Sequence, residues 1–393
     1  MVHGPLAWSV LAFACLPLAY YVVTLETAVR YAGITRPSSR PDLAPPVSIL
    51  KPVRGLDRHT VDHFVSLCRQ DYPEYEILFA VADDTDPAIP VIRRLADDFP
   101  DRSIRLIVGV PALGPSSKVS KLCRLVREAR HEVLVISDSD ITVPQDYLRA
   151  VVAPFANREV GAVTCLYRGV SEGGLWADLE ALGISTEFAP GVLVARRFEG
   201  MKFTLGATMA TTRARLSEIG GFEALVECCA DDFELGHRIA ARGHRIELAR
   251  CSVATECAPA GFVEFFRHEL RWAITLRHSR PWGYAGRMAV TQGLPWSVAV
   301  ASVVAPPAAG IYFLTFLTLR LAVAWAVGVR ILDDDTVKLR WWLVPLRDAV
   351  TFFVSIASLC SNRIDWRGQS FELQRGRLVP ISAGSRTSRK PAE

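Results

Sequence analysis

Short runs of apolar residues alternate with helix-like patterns through the middle of the chain. Four runs have the length and character of buried strands: Val47–Leu50, Ile77–Val81, Ile104–Val108 and Val133–Ile136. Between them, apolar residues recur at the spacing of amphipathic helices, as in Val91–Phe99 and Ser120–Arg130. Strands that alternate with helices predict an α/β domain whose mostly parallel sheet is covered by helices on both faces. In such sheets, ligands bind at the carboxyl ends of the strands.

The beginning of the chain is more apolar than its middle. The run Pro5–Leu25 is long enough to cross a bilayer as a helix. A signal peptide is the competing interpretation, but only His3 could supply the positive charge that such a peptide carries near its start. Because Arg30, Arg36 and Arg40 follow the run, the positive-inside rule places the next segment in the cytoplasm.

The chain becomes apolar again after Met288. Leu294–Pro306 and Ile311–Val329 are predicted to form a helical hairpin, although the first arm is short for a membrane span. The last apolar run, Trp341–Cys360, contains Arg347 and Asp348, and charges at that depth are expensive in lipid. We therefore predict a re-entrant or interfacial segment here, and three full spans rather than four.

These patterns set the domain boundaries that we predict. They are a transmembrane anchor at 1–28, a linker at 29–46, an α/β domain at 47–285, a membrane region at 286–362 and a basic cytoplasmic tail at 363–393. The net charge of +4 is modest, and no basic face with interleaved aromatic residues indicates nucleic-acid binding. The nine cysteines show no zinc-like spacing, which predicts reduced thiols in a cytosolic domain.

Acidic clusters follow two of the predicted strands, and a third comes later. They are Asp83-Asp84-Thr85-Asp86, Asp138-Ser139-Asp140 and Asp231-Asp232-Phe233-Glu234. Paired carboxylates at the carboxyl end of a strand suit a Mg²⁺ or Mn²⁺ ion, since hard cations prefer oxygen ligands and leave positions for phosphate oxygens. Acidic surface turns are the alternative. The chain has no phosphate-binding glycine loop and no G-x-S-x-G elbow, which disfavours kinases, ATPases, dinucleotide enzymes and serine hydrolases.

Two further segments have mixed character. Gly261–Pro281 combines basic and aromatic residues, and we predict an interfacial helix near residues 262–280 whose cations meet phosphate groups; a surface helix with Trp272 in the core is the alternative. Residues 183–205 are largely apolar, which fits either a membrane-facing acceptor groove or buried core. His237, His244 and His278 receive no role.

The ordered set of acidic and basic motifs resembles a known family. Asp83, Asp138-x-Asp140, Asp232 and His268-x-x-Arg271-Trp272 are similar to the D, D, D, (Q/R)xxRW signature of ceramide-glucosyltransferase-type enzymes, which are GT-A glycosyltransferases. The resemblance covers nearly the whole chain. The segments Thr164–Gly169 and Arg267–Trp272 most resemble those of the bacterial hopanoid-associated members.

The resemblance implies a role for each matching residue. Asp83 would contact the uracil or ribose of a UDP-sugar, Asp138 and Asp140 would hold a divalent metal on the diphosphate, and Asp232 would be the general base. Lys51, Arg271 and Trp272 would lie in the donor site, the last two also near the acceptor. His268 stands where the family has Gln or Arg; it can donate to phosphate or acceptor, but its charge near neutral pH is conditional. Asp232 is chosen over Asp231 on the motif alignment alone, since Asp231 is equally explained as a helix N-terminal residue.

The implied activity is inverting transfer of glucose or N-acetylglucosamine from a UDP-sugar to a lipid hydroxyl. Ceramide and a hopanoid polyol are the expected acceptors, and the wording of the motifs favours the hopanoid. The expected location is a bacterial inner membrane with the catalytic domain in the cytoplasm, and the expected partners are the donor, the lipid and the bilayer. Three rivals stay open: transfer to a polyprenyl phosphate, a catalytically dead membrane scaffold, and a transporter.

Overall fold

The computed structural model describes residues 4–33, 44–366 and 369–381. The helices are α1 Pro5–Gly33, α2 Thr60–Cys68, α3 Ala88–Asp98, α4 Ser117–Glu128, α5 Tyr147–Val152, α6 Leu175–Gly183, α7 Ala189–Glu199, α8 Arg213–Glu218, α9 Asp231–Ala241, α10 Phe262–Ser279, α11 Pro281–Thr291, α12 Gly293–Ala301, α13 Pro306–Ala324, α14 Asp335–Arg340 and α15 Val344–Leu359. The strands are β1 Val47–Pro52, β2 Tyr75–Ala80, β3 Ser103–Ile107, β4 Val133–Ile136, β5 Ile141–Thr142, β6 Val160–Ser171, β7 Met209–Thr212, β8 Arg245–Cys257, β9 Arg363–Trp366, β10 Gln369–Gln374 and β11 Arg377–Pro380.

Eight strands form the central sheet, in the order β3-β2-β1-β4-β7-β6-β8-β5. The strands β1 to β4 pair in parallel, while β7 pairs antiparallel with both β4 and β6. Every residue of β1, β2 and β4 is buried, which explains why these strands are continuous apolar runs rather than alternating ones. The predicted α/β fold with a mostly parallel sheet is confirmed, and so are the four predicted strands.

The two predicted helices of this domain are also present, each beginning three residues before its predicted start. The helix α4 begins at Ser117 because the side chain of Ser116 accepts a hydrogen bond from the amide of Val119, at 3.3 Å. The π-helical turn Ile184–Phe188 joins helices α6 and α7, and most of residues 184–193 are buried. The buried-core interpretation therefore holds for this part of segment 183–205, whereas Phe198 near its end is exposed.

The helix α1 contains the predicted N-terminal span and continues to Gly33. Its end rests on the α/β domain, where Arg250 donates a hydrogen bond of 2.8 Å to the carbonyl of Tyr31. The predicted hairpin is formed by α12 and α13, and α13 runs alongside α1 in the same direction, since Ala14 packs near Ala309 and Tyr21 contacts Phe316. The short first arm of the hairpin follows α11, so residues 281–301 form one apolar segment interrupted at Gln292. The linker residues 34–43 lie outside the described residues.

Among the described residues, three helical segments have the length and composition of membrane spans: Ala7–Gly33, Pro306–Val329 and Asp335–Leu359. The predicted arm Leu294–Pro306 is not one of them, because α12 ends at Ala301. The third includes the two charges that argued against a span, and both are paired: Arg347 bonds to Glu269 at 2.6 Å and Asp348 to Arg320 at 2.7 Å. Both ends of this segment contact the α/β domain. Arg168 donates to the carbonyl of Asp333 at one end, and β9 follows at the other. This geometry favours the predicted re-entrant or interfacial arrangement over a full crossing.

The predicted basic tail at 363–393 needs correction. Residues 363–366 and 369–380 form a three-stranded sheet, β9 to β11, on the α/β domain. The amide of Cys229 donates to the carbonyl of Gly376 at 3.0 Å, and Phe371 and Leu373 share a buried cluster with Ile274 of α10. The apolar residues between the arginines bury on one face, which a count of basic residues overlooks. Arg367 and residues 382–393 lie outside the described part of the chain.

Candidate active site

Three of the predicted site residues lie at the carboxyl ends of neighbouring parallel strands. Lys51 lies near the end of β1, Asp83 follows β2, and Asp138 follows β4. Because β1 pairs with both β2 and β4, the three carboxyl ends meet at one edge of the sheet. The first two acidic motifs therefore share one edge of the domain, as the sequence predicts.

The third acidic motif comes to the same place. Lys118 of α4 lies between two carboxylates, with its Nζ 2.8 Å from Asp138 Oδ1 and 3.0 Å from Asp231 Oδ2. A Cβ on Gly206 would lie 3.2 Å from Asp232 Oδ2 and 3.3 Å from Asp138 Oδ2, so these two carboxylates face the same small space. The structure thus places Asp138 and Asp232 together across more than ninety positions of sequence. We call Asp138, Asp140, Asp231 and Asp232 the acidic cluster.

The acidic cluster holds more negative charge than its surroundings favour. Burial and the neighbouring charge of Asp231 raise the pKa of Asp232 to about 6. Burial also raises the pKa of Asp138, and the charges of Asp140 and Asp231 add to this effect against the opposing charge of Lys118. Although burial lowers the pKa of Lys118, the charges of Asp138 and Asp231 raise it above its usual value. The negative electrostatic potential of the acidic cluster therefore favours binding of a second cation, or of a metal ion that is bound to a polyanion.

Lys51 lies beneath the cluster. It is fully buried, and its ammonium group donates to the backbone carbonyl of Asp138 and, at 3.3 Å, to Ser137 Oγ. Burial lowers the pKa of Lys51 to about 8, although the charges of Asp140 and Asp138 oppose this. Through these contacts, Lys51 positions the turn that carries Asp138 and Asp140. Its predicted contact with the donor stays a prediction.

The predicted metal ligands suit a hard divalent cation. Asp140 Oδ2 accepts a hydrogen bond of 2.9 Å from Thr255 Oγ1, which leaves its second oxygen for another partner. Asp138 and Asp140 both contribute carboxylate oxygens, and the pKa of Asp138 shows that its charged form lacks sufficient compensation. Among the described residues, no three metal-ligating side chains already surround one point. The residues therefore fit an ion that two carboxylates hold and that phosphate oxygens complete.

In the first acidic motif, Asp83 lies at the surface and Asp86 is buried. Asp83 is exposed, and its Oδ1 accepts hydrogen bonds from the amide and hydroxyl of Thr85 at 2.9 and 2.7 Å, which lower its pKa. Asp86 is buried and accepts from the amides of Gly55 and Ala88, at 3.0 and 2.9 Å. Asp86 therefore holds the loop together, whereas the carboxylates of Asp83 and its neighbour Asp84 are exposed to a ligand.

The His268-x-x-Arg271-Trp272 motif lies on α10. His268 Nδ1 is 2.6 Å from Glu180 Oε1, and its ring lies 4.7 Å from the ring of Trp272. The guanidinium of Arg271 lies 5.9 Å from the ring centre of Trp366. Burial raises the pKa of the half-buried Cys229 to about 11; a hydrogen bond with Thr275 and the charge of Arg271 oppose this, and the charges of Asp231 and Asp232 add to it. Both motifs are therefore within electrostatic reach of this thiol. A helix is present where one was predicted near 262–280.

Sequence reasoning missed three residues of this site. Lys118 is a cation in the first turn of a helix, where the helix dipole disfavours positive charge, and that placement is a usable signal. Tyr167 lies within the segment Thr164–Gly169, whose sequence gives no sign of a role for it; burial and the charges of Asp232, Asp138 and Asp140 raise its pKa. Glu180 sits in the apolar helix α6 and offers no signal beyond its isolation.

All nine cysteines are described and free; a reduced state in a cytosolic compartment stays a prediction. The thiols of Cys165 and Cys251 lie 3.3 Å apart, which is a contact and not a bond.

With this geometry established, the chain can be compared with known proteins. Residues 9–379 match the family model described as glycosyl transferase family 21. Ceramide glucosyltransferase 1 of Caenorhabditis elegans is 26% identical over 234 residues, which are 59% of this chain and 50% of that relative. A ceramide glucosyltransferase of Gibberella zeae is 31% identical over 156 residues, which are 37% of this chain and 29% of that relative. The chain thus spans half the length, or less, of these curated relatives.

A solved structure shares the fold. The mannosyltransferase PcManGT of Pyrobaculum calidifontis, in complex with GDP-Man and Mn²⁺, superposes with a TM-score of 0.55 at 19% identity. The match covers 84% of this chain and all of that one. The family model spans almost the whole sequence. The chain therefore belongs to glycosyl transferase family 21.

Proposed function

We propose that this protein transfers a hexose from a UDP-sugar to a hydroxyl group of a membrane lipid, with inversion at the sugar C1. The observation that carries the proposal is the acidic cluster with Lys118 at the carboxyl edge of the sheet. It combines carboxylates for a divalent cation with a separate carboxylate, Asp232, whose pKa lies near 6. This is the pair of functions that glycosyl transfer to an alcohol needs.

The surroundings of the site support a lipid acceptor. The helix α10, which carries His268 and Trp272, packs against α15 in the apolar C-terminal region. The curated relatives are named ceramide glucosyltransferases, which supports a lipid alcohol and glucose as the first pair to test. N-acetylglucosamine is the second sugar of the proposed set. A hopanoid polyol is the second acceptor, because the segments Thr164–Gly169 and Arg267–Trp272 resemble the hopanoid-associated members.

The proposed chemistry assigns Asp232 to the acceptor. Its carboxylate takes the proton from the acceptor hydroxyl while that oxygen forms a bond to C1. The bond from C1 to the phosphate oxygen breaks on the opposite side, and UDP leaves with the electron pair. Because the pKa of Asp232 is about 6, most of the group is ionised at neutral pH and is a stronger base than an ordinary aspartate. The phenol of Tyr167 lies near the same carboxylates and can orient the acceptor by hydrogen bonding.

Asp138 and Asp140 would hold the divalent ion, Mg²⁺ or Mn²⁺. When bound, such an ion stabilises the negative charge that develops on the leaving diphosphate. Lys118 and Arg271 supply further positive charge near the acidic cluster, and Lys51 holds the backbone of Asp138 in place. We place the uracil or ribose contact at Asp83, the exposed carboxylate that matches the family signature.

The test is transfer of radiolabel by the purified protein in detergent. UDP-glucose or UDP-N-acetylglucosamine is combined with ceramide or a hopanoid polyol, with and without Mn²⁺ or Mg²⁺. We expect metal-dependent label in one lipid, and a loss of at least about a thousandfold in Asp232→Asn, within the usual range for a general base. Asp97→Asn, a change at an exposed carboxylate on α3, is the matched control and should keep wild-type activity.

Other outcomes of the assay would contradict parts of the proposal. Transfer to a polyprenyl phosphate that survives Asp232→Asn would show an acceptor that needs no base, because that phosphate is already ionised. Absence of any metal-dependent UDP binding by wild-type protein would overturn the transferase proposal and favour a scaffold.

A further inference from the structure

Glu180 is a buried carboxylate that has no part in the proposed chemistry so far. It lies on α6 and is 4% exposed. Within the described residues, the only hydrogen bond that the structure shows for its side chain joins Oε1 to His268 Nδ1, at 2.6 Å. The buried cation Arg347 is hydrogen bonded to Glu269 and Glu187 instead. Because a buried charge is costly unless it is paired, the carboxylate of Glu180 depends on His268.

Close packing of α6 on β6 fixes the position of Glu180. A Cβ on Gly169 would lie 2.5 Å from the Cα of Ala181 and 2.9 Å from the Sγ of Cys257, so a larger residue would push α6 away. Ala181 and Cys257 belong to a small buried cluster, and Trp272 packs against it. Glu180 therefore reaches the ring of His268 from a rigidly held helix.

The same cluster brings the Glu180–His268 pair to the active site. The ring of His268 lies 4.7 Å from that of Trp272. Burial raises the pKa of Cys257, and the charges of Glu180 and Asp140 are the next largest causes. One buried thiol is thus within electrostatic reach of both Glu180 and a proposed metal ligand.

The hydrogen bond decides which ring nitrogen of His268 meets a ligand. An ionised carboxylate can only accept, so Nδ1 carries the hydrogen of this bond. For Nε2 the structure shows no hydrogen bond within the part of the chain that it describes, and the side chain of His268 is 33% exposed. When Nε2 also carries a hydrogen, it can donate to a phosphate oxygen, and the carboxylate of Glu180 offsets the positive charge of the ring.

We propose that Glu180 is a positioning residue for the nucleotide-sugar donor, which holds the ring of His268 so that Nε2 faces the diphosphate. The inference rests on the proposed function, because the ligand that it assigns to Nε2 belongs to the UDP-sugar. It also accounts for a histidine where the family signature has Gln or Arg. Those side chains donate hydrogen bonds unaided, whereas a histidine needs a partner that fixes its ring and balances its charge.

Variants of Glu180 in two backgrounds provide the kinetic test. Glu180→Leu removes both the hydrogen bond and the charge, whereas Glu180→Gln keeps an oxygen that accepts from Nδ1. We expect the KM for the UDP-sugar to rise about tenfold in Glu180→Leu and less in Glu180→Gln, with kcat and the KM for the lipid nearly unchanged. In the His268→Gln background, neither change should alter the donor KM more than about twofold, since Glu180 acts through the histidine. Equal effects in the two backgrounds would overturn the inference.

A second histidine–carboxylate pair offers the matched control. His244 Nε2 lies 2.7 Å from Glu218 Oε2, and neither residue has a role in the proposed chemistry. Glu218→Leu should leave both KM values at those of the wild type. The thermal unfolding midpoint of every variant is measured alongside. If Glu180→Leu lowered the midpoint and kept the wild-type donor KM, Glu180 would be structural only and the proposal would be wrong.

A second measurement does not depend on turnover. The nitrogen chemical shifts of an isotopically labelled histidine ring distinguish a protonated from an unprotonated nitrogen, and His268→Gln identifies the signals of His268 among the eight histidines. We expect a protonated Nδ1 in the wild type, loss of that signal pattern in Glu180→Leu, and a shift of Nε2 when UDP and Mg²⁺ are added. An unchanged pattern in Glu180→Leu, or an Nε2 signal that bound UDP does not move, would refute the role of Glu180. A wild-type protein that binds no UDP would instead contradict the proposed function, and a Glu180-dependent Nδ1 signal would still support the positioning of the ring.

Discussion

At the scale of single residues, the proposed base is defined by its neighbours. Burial and the charge of Asp231 raise the pKa of Asp232 to about 6. A base works only when ionised, so kcat/KM of the free enzyme should fall as the pH is lowered through about 6. Asp231→Asn removes the adjacent negative charge, which should move this acid limb to lower pH. Initial rates between about pH 5 and pH 8 locate the acid limb of the wild type and that of the variant. An acid limb that stays at the same pH in Asp231→Asn would contradict the assignment.

Lys118 shares the carboxylates with the proposed metal. Its ammonium group is 2.8 Å from Asp138, which we assign as a metal ligand. Because Lys118 repels a divalent cation and competes for the same oxygen, Lys118→Ala should bind Mn²⁺ several-fold more tightly in the absence of donor, although it should turn over more slowly. Titration calorimetry with Mn²⁺ measures the affinity. Arg124→Ala is the control, since Arg124 lies on the same helix and pairs with Glu128 at the surface. Weaker Mn²⁺ binding by Lys118→Ala would refute the competition.

The sequence could identify only part of this site, for a physical reason. Asp138 and Asp232 stand at recognisable places, after a strand and at a helix start, and the motif order marks them. Lys118 and Glu180 act through partners far away along the chain, and such pairs exist only after the sheet has brought the elements together. Nothing in the local pattern around Glu180 distinguishes it from a surface acid.

At the scale of elements, α10 is fixed from two sides. Glu180 of α6 holds His268, and Arg347 of the 335–359 segment holds Glu269, with Glu187 3.4 Å from the same guanidinium. Gly183 permits this packing, because a Cβ there would clash with the guanidinium. Helix α10 therefore transmits the position of the apolar helices to the His268-x-x-Arg271-Trp272 motif.

Breaking this buried pair should be costly. Arg347→Met leaves the buried carboxylate of Glu269 without its cation, and loss of one partner of such a pair costs about 3–5 kcal/mol. Arg347→Met should therefore lower the thermal unfolding midpoint of the detergent-solubilised protein markedly, and Arg347→Met combined with Glu269→Met should recover part of the loss. Arg215→Met, which removes a half-exposed partner of Glu218, is the control and should have a small effect. A double variant as unstable as Arg347→Met alone would contradict the pairing.

The elements themselves were predictable where burial is uniform along them. Strands β1, β2 and β4 are buried on both faces and therefore stand out as apolar runs. The long strands β6 and β8 mix apolar with polar residues, because their later halves extend beyond the part of the sheet that is covered on both faces. The sequence pattern therefore predicts no strand at either position. Strands β9 to β11 bury alternate residues under a high density of arginine, which hid them.

At the scale of the whole molecule, the apolar helices and the α/β domain form one packed unit. The helix α1 contacts the domain through Tyr31 and packs on α13, and the segment 335–359 contacts the domain at both ends. Under the proposed function, a lipid acceptor would meet the active site where α10 and α15 touch. A water-soluble donor would approach from the carboxyl edge of the sheet.

This arrangement predicts the topology of the last apolar segment. Since both ends of 335–359 contact the α/β domain, Cys360 should lie on the same side of the membrane as that domain. A variant that keeps Cys360 as its only cysteine is compared with a variant whose only cysteine is introduced by Asp97→Cys on α3. An impermeant maleimide should label neither in intact cells and both after lysis. Labelling of Cys360 in intact cells, with residue 97 still protected, would show that the segment crosses the bilayer. The ion pairs of Arg347 and Asp348 would then lie within a true span, and the contact between β9–β11 and the domain could not form.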